Sequence, residues 1–183
     1  MTNMRTYRIL ETLGGFVIFL LATFLHFFYK LSGGSIIGAL FGSVNESVWE
    51  HIKIFCEAYL AFTLIEILWA RPAIRKLIPA KAAGLLVLST GITLCHYFAV
   101  WVLGRESFLL DIIIGIAFSF LAHLTSYKLT TLQKNHGQFF FTGLFFIILV
   151  LIMLLCFTFF PPQLSVFMDK TTEFYGLPRN LPL

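Results

Sequence analysis

Residues 43–53 read Ser-Val-Asn-Glu-Ser-Val-Trp-Glu-His-Ile-Lys, a polar run at the head of a mostly apolar segment. Ser43 followed by Glu46 matches a capping box, and Asn45 is a second N-cap candidate. Ser43, Asn45 and Glu46 are therefore expected to start a helix, with the Glu46 carboxylate suited to the helix N-terminus. Beyond the start, Glu46, Glu50, Lys53 and Glu57 recur at i, i+4, i+7 and i+11 and share one helix face. A charge deep in lipid costs roughly 2.5–3.5 kcal/mol even on a lenient insertion scale. That face is expected to look into a helix bundle or a wet cavity.

The lipid setting follows from composition. The chain has 183 residues, of which 58% are hydrophobic and only 12% charged, with 22 phenylalanines. A soluble domain carries about 25% charged residues. The formal charge of +4 does not point to nucleic acid, because the basic residues lie between apolar runs and read as topology signals. The first apolar run, Phe16–Phe28, lacks a small-residue cleavage site, so no separate cleaved signal is expected. Cys56, Cys95 and Cys156 each lie inside an apolar segment, match no zinc-ribbon or C-x-x-C spacing, and read as free buried thiols.

A membrane helix needs about 20 mostly apolar residues. Five segments qualify, at about 7–29, 47–69, 82–103, 108–128 and 139–160, separated by Arg71-Pro72, Gly104-Arg105 and Asn135-His136-Gly137 and ended by Pro161-Pro162. The expected fold is all-α: one polytopic membrane domain spanning residues 1–183, a bundle of about five spans. Gly34, Gly38 and Gly42 fall at every fourth position in the first long connection. They suggest a short re-entrant or interfacial half-helix with a smooth face for another helix, in the same chain or in a second copy. Lys and Arg counts favour a cytoplasmic N-terminus, a cell-membrane location and an external tail at 161–183. In that tail Leu164, Phe167 and Met168 can share one apolar face, as a lid over the outer end would.

On this topology His26, Glu50, His51, His96 and Asp111 reach a similar level from four different spans. His123 and Glu66 lie toward the other face, where Glu66 is expected to pair with Arg71 or Arg75. Histidines with carboxylates are the usual ligands of a zinc-type divalent ion, and three protein ligands with one open position make a catalytic site. In that reading His26, His96 and either His51 or Asp111 hold the metal. Glu50 acts as general base, and Lys53 steadies negative charge. The chemistry would be metal-dependent hydrolysis of a lipid-like substrate. Two other readings stay open: a membrane solute-binding or transport subunit, with Lys53 and a helix N-terminus meeting an anionic group, and an internal ion-pair network that holds a bundle or a membrane partner.

The run Asn45-Glu46-Ser47-Val48-Trp49-Glu50-His51-Ile52-Lys53 resembles the N-E-S-x-W-E-H-x-K signature of an uncharacterised family of small multi-pass bacterial membrane proteins. The resemblance extends to His26-Phe27-Phe28-Tyr29 closing the first span and to Asp111-Ile112-Ile113-Ile114-Gly115 opening a later one. It implies kinship and a multi-pass fold, and it carries no known activity. A looser comparison is with the membrane hydrolases that include alkaline ceramidases and adiponectin-type receptors, which hold zinc through histidines. This chain departs from them in its span count and its purely apolar last span.

Overall fold

In a computed structural model the described residues, 3–132 and 136–177, form a helical bundle. Its long helices are α1 (Met4–Leu31), α3 (Val48–Ala70), α4 (Ile74–Leu103), α5 (Phe108–Leu132) and α6 (Phe140–Phe159), and a six-residue α2 (Ile36–Phe41) sits between α1 and α3. Single 3₁₀ turns occupy His136–Phe139 and Ser165–Phe167. Residues 133–135 and 178–183, which include part of the expected fourth loop and the end of the expected tail, lie outside the described residues.

Four helices, α1, α4, α5 and α6, are long and apolar enough to cross a membrane. This is an integral membrane protein. The surface agrees: Phe16, Leu20, Phe24 and Phe27 recur every three or four residues along α1 and are all at least half exposed, a face that water would penalise and lipid accepts. The 23-residue α3 carries Glu50, Lys53, Glu57 and Glu66. Glu50, Lys53 and Glu66 are buried in the bundle, as charges on such a helix must be, while Leu64, Leu68 and Trp69 form an exposed apolar flank.

Small residues set how closely the helices pack. A Cβ on Gly14 would fall 2.3 Å from the His123 ring, and one on Gly15 would fall 2.6 Å from the Phe120 ring, so α1 and α5 touch there. Gly143 of α6 lies against Pro79 of α4, where a Cβ would meet the Pro79 Cα at 2.7 Å. The glycine face expected in the first connection is used inside the chain. Gly42 packs on the α1 backbone, 2.6 Å from Tyr29 N for an added Cβ, while Gly34 takes a positive φ of 75° in the turn.

The fourth helix begins eight residues earlier than the apolar run suggests, with Pro79 inside it. That start changes the role of Lys81. The sequence counts it among loop charges, but it is fully buried, with Nζ 2.6 Å from Glu66 Oε2 and 3.3 Å from Glu11 Oε1. His123 Nδ1 lies 2.6 Å from Glu11 Oε2, Ser126 donates to Glu11 Oε1 at 2.8 Å, and the Tyr7 hydroxyl also donates to Glu11. Glu66 thus pairs with Lys81 rather than with the expected Arg71 or Arg75. One buried network ties α1, α3, α4 and α5 at the end of the bundle where α1 begins.

Candidate functional site

The opposite end of the bundle gathers the end of α1, the starts of α3 and α5, the end of α4, and the segment after α6. Its geometry starts with the helix cap. The S-x-x-E pattern occurs twice, at Ser43–Glu46 and Ser47–Glu50, and the chain caps on the second. Ser47 is the N-cap, its side chain accepting from Glu50 N at 3.3 Å, and Asn45 Oδ1 accepts from Ser47 N at 2.9 Å. Ser43 donates to the Asn45 carbonyl at 2.6 Å. Ser43 and Asn45 therefore shape the turn instead of capping, and Glu46, expected to cap, is released.

Glu50 and Lys53, placed at the site by the sequence reading, turn elsewhere. Glu50 Oε2 accepts from Val44 N at 2.9 Å and pairs with Lys53 Nζ at 2.7 Å. Lys53 also donates to the Ala39 carbonyl and to Thr158 Oγ1, each at 3.0 Å. The pair is buried and fastens the loop and α2 to α6; neither residue lines the cavity described next. Trp49 packs its ring against Phe157 and Phe167.

A cavity of about 470 Å³ opens at this end, and His26, His51, His96 and Asp111 all line it, joined by Glu46, Glu106 and Lys170. The polar groups fall into two sets. In the first, Glu46 sits between two imidazoles, with Oε1 3.8 Å from His26 Nε2 and Oε2 3.7 Å from His51 Nε2. One ligand atom from each of His26, Glu46 and His51 lies within 4.8 Å of the other two, a spacing that can hold a metal ion. A tetrahedral ion with bonds of 2.0–2.1 Å has ligand atoms about 3.4 Å apart, so from a spread of 4.8 Å the three groups would draw together by up to about 1.4 Å around an ion. His51 Nδ1 lies 2.9 Å from the Ser47 carbonyl. Donation there fixes the tautomer that leaves the Nε2 lone pair toward Glu46, the usual support of a ligating histidine.

In the second set His96 Nδ1 is 2.7 Å from Asp111 Oδ1. His96 is buried, and its Nε2 has no hydrogen-bond partner among the described residues, the Glu106 carboxylate standing 3.7 Å away. A carboxylate on Nδ1 leaves the Nε2 lone pair available as a base. The sequence leads one to expect His26, His96 and either His51 or Asp111 as ligands. Here His96 and Asp111 are paired with each other, on α4 and α5.

The chain belongs to DUF6512, a family of unknown function. The match covers residues 2–177. No curated protein and no solved structure matches the chain. Membership establishes the kinship that the signature residues suggested, and it leaves chemistry to be argued from the site.

The segment after α6 is docked over this end. Phe167 is buried, Met168 and Tyr175 form an isolated antiparallel bridge, and Asn45 Nδ2 donates to the Gly176 carbonyl at 2.9 Å. Lys170 pairs with Glu106. Asp169 holds the turn, accepting from Thr171 N at 2.8 Å, Thr171 Oγ1 at 2.6 Å and Glu46 N at 3.4 Å. Burial raises its pKa, but the hydrogen bonds from Thr171, Glu46 and Thr172 outweigh burial and hold it below the ordinary carboxylate value. The stabilisation is therefore complete above about pH 4, the unfolded carboxylate range, and is lost as pH falls through the lower folded value. Amide hydrogen exchange, corrected for intrinsic rates, should show protection at Thr171 and Glu46 lost below pH 4. Asp169→Ala, which removes the acceptor oxygens, should lack that protection already at neutral pH, and equal protection in the variant would contradict the assignment.

Proposed function

We propose that this protein is a membrane-embedded, metal-dependent hydrolase of a lipid-like substrate, with a zinc-type divalent ion held by His26, Glu46 and His51. The observation that carries the reading is the Glu46 carboxylate held between two imidazole Nε2 atoms on a cavity wall. Charge supports it as well. Three carboxylates (Glu46, Glu106 and Asp111) face one ammonium (Lys170) around the cavity, an excess of two negative charges that one divalent cation neutralises. Three protein ligands leave one position for water or a substrate oxygen. A bound ion would polarise a carbonyl and acidify water. His96, fixed by Asp111, is placed on the same cavity to take the proton. Glu50 and Lys53 act in this account by holding the loop that presents Glu46. The Lys and Arg distribution supports a cytoplasmic N-terminus, and with it a cavity on the outer face of the cell membrane.

Ligands that bind the folded state stabilise it, by about 2.7 kcal/mol at a hundredfold excess over Kd. Zinc added to metal-stripped protein should therefore raise the unfolding midpoint of the wild type. It should leave Glu46→Gln and His51→Ala unmoved. The Glu46 side chain is 44% exposed, so its replacement leaves the fold intact. A zinc response that both variants retain would remove these residues as the site. A solute-binding protein would show stabilisation by its solute without turnover and without dependence on metal.

A further inference from the structure

We propose that the cavity takes the chain of a single-chain amphiphile, an acyl ester or amide, that arrives from the bilayer between α1 and α5. The inference rests on reading this end of the bundle as the substrate site, and it adds the class of substrate and its route. The cavity is amphipathic. Glu46, His51, His96 and Lys170 crowd one pole, while Phe19, Ala22, Ile54, Phe55, Ile92 and Ile112 form apolar wall.

Three of its sides are closed by identifiable contacts. Above, the segment after α6 lies across it through the Lys170–Glu106 pair and the Asp169 bond to Glu46 N. Below, Phe55 packs on α5 so tightly that a Cβ on Gly115 would fall 2.5 Å from its ring. Further along, α1 and α5 close on each other where Gly14 meets His123 and Gly15 meets Phe120. Toward the cavity the same two helices contribute Thr23 and Phe27 on one side and Phe108 on the other, all lining the cavity and all exposed, Phe27 at 51% and Phe108 at 76%. In a membrane protein exposed phenylalanines face lipid, so the open side is the bilayer side.

Size selects the occupant. A volume of about 470 Å³ is that of a small-molecule pocket, not of a two-chain lipid. From His26 to Phe19 the α1 wall runs about 10 Å at 1.5 Å per residue, which accommodates part of one chain with its carbonyl at the level of His26, Glu46 and His51.

The test uses a monoacylglycerol with a photoreactive diazirine on its acyl chain, added to the full chain in phosphatidylcholine bilayers. Labelling is expected in the peptides containing residues 19–27 and 108–114. Unlabelled monoacylglycerol should compete for it, and the diacyl bilayer lipid should not. Thr23→Trp places bulk in the opening at an exposed position and should cut this labelling about tenfold, while bound metal stays at the wild-type level. Labelling spread over all lipid-facing helices, or unchanged in Thr23→Trp, would overturn the proposal. Site-specific, Trp-sensitive labelling of a protein that binds no metal would uphold the chain site and sink the metal reading alone.

Discussion

Lys81→Met should destabilise the folded protein by about 3–5 kcal/mol, the cost of removing one partner from a buried ion pair. Lys81 is the ammonium between Glu66 and Glu11, with both carboxylates themselves buried. It also lies 4.9 Å from the centre of the Tyr59 ring, so the methionine loses an electrostatic contact on a third side. Once the ammonium is gone, two carboxylates face each other across His123, without water to screen them. Removing one of them should then help. Lys81→Met combined with Glu66→Leu should recover most of the loss, because a buried pair exchanged for apolar groups of similar volume is often neutral or stabilising. Reversible unfolding in mixed micelles reads both effects. A single-variant loss below about 1 kcal/mol, the scale of an exposed pair, would mean that the network is hydrated and does not hold the four helices together.

The network also locates the candidate site. α1 carries Glu11 and His26, α3 carries Glu66 and His51, and α4 carries Lys81 and His96, each pair fifteen residues apart, about 22 Å of helical rise. α5 adds His123 to one layer and Asp111 to the other. The same helices therefore meet in a buried ionic layer at one end and frame a cavity at the other. Rigid packing at the first fixes where His26, His51, His96 and Asp111 stand at the second.

Much of this was legible in the sequence, and the failures have identifiable causes. A helical bundle in a membrane followed from apolar run length. The gathering of His26, His51, His96 and Asp111 on one cavity followed from counting depth along each span, since 1.5 Å per residue fixes level without any knowledge of packing. Direction round the helix axis was harder. Glu50 and Lys53 stand at the right depth but turn toward Val44, Ala39 and Thr158, partners on other elements that periodicity along one helix does not report. Glu46 reads as a cap because two consecutive S-x-x-E patterns compete, and the chain caps on the second, at Ser47. Glu11 was missed altogether. Its signal was a lone carboxylate inside the first apolar helix, which asks for a buried partner. Lys81 stands just ahead of the apolar run that begins at 82, whereas the helix already starts at Ile74 and runs through Pro79.

The proposed metal site turns on whether Glu46, freed from capping, is a ligand. Its position between His26 and His51 supports that role, and a carboxylate that merely bridged two imidazoles by charge would bind no ion. Elemental analysis of tag-free protein purified without chelator decides between them, with Glu46→Gln, His51→Ala and His96→Gln variants beside it. The prediction is one zinc-like ion per chain in the wild type, none in Glu46→Gln or His51→Ala, and an unchanged content in His96→Gln, because His96 pairs with Asp111 apart from the ligand set. A wild-type protein without stoichiometric metal would contradict the central claim.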